Sequence, residues 1–109
     1  MATGKRWAVR DRYGNHIYLT EERWEHIIDP INHPEMMEYE THLKDVIRFG
    51  HRKHDVLNSQ KYRYSQLFAD LGDANTHIVA IVLFRFSEGT DGKPVPNDYI
   101  VTVYPKAVW

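Results

Sequence analysis

The chain contains no cysteine, so neither a disulfide framework nor a thiolate zinc site is open to it, and any metal would have to be held by His, Asp or Glu. It has no apolar run of about 18 residues, the length that spans a bilayer. The start, Met1-Ala2-Thr3-Gly4-Lys5-Arg6-Trp7, lacks the apolar stretch of a secretory leader. A cytoplasmic protein with no membrane partner is the expectation. An excess of either charge is also missing: 14 Lys plus Arg against 15 Asp plus Glu leave a formal charge of −1. That balance excludes a strongly basic protein that coats nucleic acid. It is compatible with a local basic cleft, because a groove needs only a few phosphate contacts. The 109 residues, 42% of them hydrophobic, suffice for one core and are too few for two domains. One domain over 1–109 is expected.

What is present starts with a hairpin and a helix. Trp7–Arg10 and His16–Leu19 read as strands around a turn containing Gly14-Asn15. Thr20 is placed to cap the helix Glu21–Ile28, where Trp24, Ile27 and Ile28 have the spacing of one buried face. Asp29-Pro30 stops that helix, and Pro34 starts a second. The second carries Tyr39, Leu43, Val46 and Ile47 as its apolar stripe and ends at Gly50.

From His51 the chain turns polar and basic. Asp55–Gln60 is read as a strand and turn, Tyr62–Phe68 as a strand, and Asp70–Asn75 as a loop. Ile78–Phe86 is an apolar run suited to the sheet centre. Ser87–Asp98, with two Gly and two Pro, reads as a long turn, and Tyr99–Tyr104 as the closing strand before Pro105. Two helices followed by three strands predict an α+β fold with an antiparallel sheet.

Helix propensity accounts for Trp24 and the carboxylates around it but not for His26 and His33. The ordinary reading makes His26 a helix residue bonded to a neighbour and His33 a turn residue before Pro34. The functional reading makes them acid, base or phosphate contact, because imidazole titrates nearest neutral pH. Their spacing is not that of a zinc pair, and no HExxH is present. The cluster His51-Arg52-Lys53-His54 is either a solvated loop or a phosphate-binding rim built on Arg52 and Lys53. Strand alternation sets Lys61 and Arg63 on the face opposite Tyr62 and Tyr64. If the tyrosines pack the core, the cations meet solvent or a ligand, and Arg63 can engage a phosphate bidentately. On the last strand Ile100, Thr102 and Tyr104 share one face and Tyr99, Val101 and Val103 the other. With Val101 and Val103 in the core, Thr102 and Tyr104 project together, as β-formers or as contacts to a substrate.

The order of these features, T-x-x-x-W-x-H-I over Thr20–Ile27, H-P-E over His33–Glu35 and V-T-x-Y over Val101–Tyr104, resembles the small phage- and toxin-associated domains of the barnase, EndoU, colicin and RelE-like nuclease fold. The resemblance covers roughly residues 16 to 106. It implies two N-terminal helices packed on a curved antiparallel sheet of four to five strands, with RNA cleaved on the open sheet face. It carries over to His26 and His33 near the helix end and to Thr102 with Tyr104 on the last strand; Arg63 is added from strand geometry.

The leading expectation is therefore a metal-independent, cofactor-free endoribonuclease of toxin type, acting through 2′-OH attack, with RNA as substrate and an antitoxin or immunity protein as partner. His26, His33, Arg63, Thr102 and Tyr104 are its candidate catalytic residues, and Arg52, Lys53 and Lys61 its candidate substrate contacts. The alternative is a non-catalytic module that binds RNA or protein on the same face. A third reading, a metal-binding domain using the seven histidines, lacks any His pair at i, i+4 spacing.

Overall fold

The computed structural model describes residues 4–108. Met1–Thr3, the start of the stretch read for a leader, lie outside the described residues. Strands β1 (Lys5–Arg10) and β2 (His16–Thr20) form the expected antiparallel hairpin. Its turn is organised by Asp11, whose Oδ1 accepts the N–H groups of Tyr13 at 2.9 Å and Asn15 at 2.8 Å. Gly14, at φ +88°, supplies the left-handed residue that the reversal needs.

Thr20 ends β2 and caps helix α1 (Glu21–Ile27), its Oγ1 accepting the Arg23 N–H at 3.0 Å. The second predicted helix is divided. Pro34–Glu38 is a 3-10 segment, Tyr39 interrupts at φ −118° and ψ 23°, and α2 runs over Glu40–Phe49. The stripe Leu43, Val46 and Ile47 is buried, as its spacing predicts. At Gly50 the chain passes directly into β3 (His51–His54). A Cβ there would run into the backbone carbonyls of Val46 and Ser65, so the close approach of helix end and sheet requires glycine.

Strands β4 (Lys61–Leu67), β5 (His77–Glu88) and β6 (Pro94–Lys106) complete one six-stranded sheet in the order β1-β2-β6-β5-β4-β3. Neighbours are antiparallel except β2 and β6, which run parallel where Ile17 meets Asp98 and Tyr18 meets Tyr99.

This arrangement corrects the expected fold class, an α+β fold of two N-terminal helices on an antiparallel sheet of four to five strands. The sheet has six strands, two of which precede the helices, and one junction is parallel. Strand, rather than helix, is the main component. Three causes can be named. The N-terminal hairpin joins the same sheet through β6. The basic segment 51–54, read as loop or rim, pairs with β4 over His51–Ser65 to His54–Tyr62. The segment read as a long turn is mostly strand, because Pro94 and Pro96 pair with Glu88 and Phe86 before β6 reaches the Asp98–Tyr99 stretch that meets β2. Their missing N–H groups therefore interrupt no ladder on that side.

Both helices cover one face of the sheet and bury Trp24, Ile27, Leu43, Val46 and Ile47 against Tyr64, Ile78, Ala80, Val82, Ile100 and Val103. An irregularity between Ile81 and Val82 pairs Ile81 with Thr102 and Val82 with Ile100, leaving Val101 as the extra residue. Strict alternation along β6 places Ile100 beside Thr102. The bulge instead turns Ile100 to the core with Val103 and leaves Tyr99, Thr102 and Tyr104 on the opposite, uncovered face. No helix among the described residues is long and apolar enough to cross a membrane.

Candidate functional site

The strand register decides what the uncovered face displays, since residues directly opposite each other in an antiparallel pair share a face. One row across it reads Lys53, Arg63, Ile81, Thr102; the next reads His51, Ser65, Val79, Tyr104; a third reads Lys61, Leu83, Tyr99. Lys53, Lys61, Arg63, Ile81 and Tyr104 line a groove of about 390 Å³ together with His54, Asp55, Val56 and Tyr62. Lys61 lies 3.9 Å from Asp55. Lys53 and Arg63 are exposed and take part in no ion pair among the described residues.

His33 stands beside Tyr104 and is not part of the groove lining. Beyond Tyr99, β6 no longer has β2 as its neighbour, and the 3-10 segment lies against that stretch. His33, which precedes the segment, sets its ring 6.0 Å from that of Tyr104, tilted by 34°. Its Nδ1 is 3.2 Å from Glu35 Oε1. That contact orients the imidazole and directs Nε2 elsewhere.

The candidate residues are therefore sorted by the tertiary structure. Lys53, Lys61, Arg63 and Tyr104 meet in one groove, Thr102 stands in the Arg63 row, and His33 flanks Tyr104. His26 does not join them. It is exposed on α1; its imidazole makes no hydrogen bond among the described residues, and its backbone carbonyl accepts from Asn32 Nδ2 at 2.8 Å and the Asp29 N–H at 3.4 Å.

Arg52 also lies apart, on the helix-side face. Its guanidinium donates to Tyr64 Oη at 3.3 Å and stands 3.8 Å from Asp11 Oδ2. It also stacks on Tyr13 at 4.0 Å and Tyr62 at 4.4 Å. These interactions tie the β1–β2 turn to β3 and β4 from the other half of the curled sheet.

The same cluster holds two buried carboxylates. Burial alone would raise Asp11, 4% exposed, but hydrogen bonds from Tyr64 and Asn15 and from the Tyr13 N–H outweigh it and hold the carboxyl below the usual range. Burial also pushes the Tyr64 phenol well above its ordinary value, reinforced by its hydrogen bond to Asp11. Asp98, 5% exposed, is shifted the opposite way from Asp11: burial, with the nearby Asp11 charge adding to it, raises its carboxyl despite a hydrogen bond from the Arg85 backbone. Asp11 sits in a turn, where periodicity does not report burial, and Asp98 lies at the end of the segment read as a turn, although in β6 it alternates inward with Ile100.

No group of three or more His, Asp or Glu among the described residues is arranged to hold a metal. Compared with protein-family models, curated proteins and solved structures, this chain matches none.

Proposed function

We propose that the chain is a metal-independent endoribonuclease that holds RNA on the uncovered sheet face. The supporting observation is the Lys53–Arg63 pair. Like charges set directly opposite each other weaken a sheet, and here two cations stand on adjacent strands, in register, without an acidic partner among the described residues. An anion bridging them would remove that cost. A phosphodiester fits, since Arg presents a planar fork to phosphate oxygens and Lys a mobile point charge.

In-line attack by a ribose 2′-OH needs a base, an acid and a cation at the phosphate. On this reading Arg63 and Lys53 bind the scissile phosphate and stabilise the charge that builds there. His33, oriented by Glu35, transfers the proton through Nε2. As the 2′-oxygen bonds to phosphorus and gives its proton to His33, the Tyr104 phenol protonates the departing 5′-oxygen whose bond to phosphorus breaks, and Thr102 positions the ribose. Arg52 and His26 have no part in the step, Arg52 because its guanidinium is committed to Tyr64 and Asp11.

The test is incubation of the purified chain with a mixed RNA pool in EDTA, beside the same sequences as DNA. Cleavage of RNA alone, surviving chelation and abolished in Arg63→Ala and His33→Ala variants that keep their far-UV spectra, is the expected result. Full activity in both variants would overturn the site. Salt-dependent RNA binding without products would favour the non-catalytic alternative.

A further inference from the structure

A second crevice opens on the same face, where β2 and β6 part. The two strands pair only at Ile17–Asp98 and Tyr18–Tyr99; β2 then turns into α1 at Thr20, while β6 continues through its bulge to Lys106. The wedge between them is a crevice of about 220 Å³ lined by Tyr18, Thr20, Glu22, Arg23, Tyr99 and Ile100. Its floor carries two half-buried aromatic rings, Tyr18 and Tyr99, with centroids 6.0 Å apart and planes at 41°. Tyr18 is fixed by donating its hydroxyl to Asn97 Oδ1 at 2.8 Å, and the Lys5 ammonium sits 4.4 Å from its ring centre.

We propose that this crevice is a nucleobase subsite, occupied by a base flanking the phosphate held at Lys53 and Arg63; the assignment rests on the ribonuclease reading given above. Register connects the two places. Lys61, Leu83, Tyr99 and Tyr18 form one continuous row over β4, β5, β6 and β2. At about 4.8 Å per strand, the row spans about 14 Å from the groove to Tyr18. A single strand crossing it would pass over apolar Leu83 and lay a base on Tyr99.

The chemistry of the lining suits a base better than a second phosphate. Aromatic rings on an open sheet stack bases of any sequence. The Glu22 carboxylate is an acceptor for exocyclic amino or ring N–H groups, and its charge offsets that of Arg23, which lines the same crevice. Lys5 supplies a cation at the Tyr18 side for the backbone that follows the base. Thr20 contributes rigidity, since its hydroxyl is occupied by the helix cap.

The experiment titrates the wild-type chain separately with inorganic phosphate and with the four free nucleosides at millimolar concentration, following backbone amide shifts. Nucleosides should move Tyr18, Glu22 and Tyr99 saturably, with affinity about tenfold weaker in Tyr99→Ala and retained in Tyr99→Phe. Phosphate should move Lys53 and Arg63 and leave Tyr18 and Tyr99 in place. Nucleosides that leave Tyr18 and Tyr99 unmoved, or that bind Tyr99→Ala as well as wild type, overturn the subsite. The phosphate arm reads the groove independently: silence at Lys53 and Arg63 counts against the ribonuclease reading, whatever the nucleosides do.

Discussion

The Tyr64 hydroxyl, in the core of β4, donates a buried hydrogen bond to the Asp11 carboxylate in the β1–β2 turn, 53 residues away in sequence. The bond joins opposite halves of the sheet, and Arg52 and Asn15 supply further positive charge and a further donor to the same carboxylate. We expect Tyr64→Phe to cost about 1–3 kcal/mol in urea unfolding, because Asp11 stays buried with one donor fewer. Asp11 is lowered in the folded state, so the unfolded chain binds more protons and stability rises with pH between the two values. This contribution is present above the ordinary carboxylate range and is lost as pH falls through the folded value. Asp11→Asn should flatten that acid limb.

Asp98 is expected to act with the opposite sign. Its raised carboxyl means that the folded state favours the protonated form, so its ionisation lowers stability as pH rises from the ordinary value through the raised one. Asp98→Asn should therefore raise the urea midpoint at neutral pH and lose that advantage in acid. A lower midpoint at neutral pH would show that the carboxylate makes an interaction worth more than its burial costs.

Lys53 and Arg52 are adjacent in sequence and expected to differ completely. Lys53→Ala should leave stability unchanged or improve it by about 0.2–1 kcal/mol, through relief of the like-charge pair with Arg63. It should also reduce the salt slope of RNA binding by about 0.7, the share of a single neutralised phosphate on a single strand. Arg52→Ala should lower stability by about 1–3 kcal/mol, by stripping a donor from buried Tyr64 and a cation from beside buried Asp11. On the proposed ribonuclease reading, RNA cleavage per folded molecule should persist in that variant. Parallel denaturation and binding measurements on the two variants separate the roles.

Gly50→Ala is expected to be among the most damaging single-methyl changes. The added carbon meets backbone carbonyls of Val46 and Ser65, which cannot rotate away as a side chain would, so the junction of α2 and β3 must shift. A drop of about 1–3 kcal/mol follows from overpacking of this kind, measurable as a lower urea midpoint.

Local chemistry makes much of the chain legible without the fold. Gly14 and the alternation around it mark the hairpin, Thr20 marks the α1 start, and Leu43, Val46 and Ile47 mark the buried face of α2. Each of these signals is complete within a few residues. The β3 strand is illegible because an edge strand of His, Arg, Lys and His buries little, so burial leaves no pattern in it. The 3-10 segment and the Tyr39 break are equally silent, because a turn of that length alters no periodicity.

The sequence by itself determined the residue types: cations at 53, 61 and 63, an imidazole at 33, aromatic hydroxyls at 18, 99 and 104, and no cysteine to bind metal. Only the tertiary structure decided which of them meet. The pairing of β3 with β4 set Lys53 opposite Arg63 and turned Arg52 to the core side. The bulge at Val101 sent Ile100 inward while Tyr99 and Tyr104 stayed out, and the parallel pairing of β2 with β6 brought Tyr18 to Tyr99. Pairings between distant strands depend on register across the whole sheet, where a shift of one residue exchanges the faces, and no window of neighbouring residues carries that information.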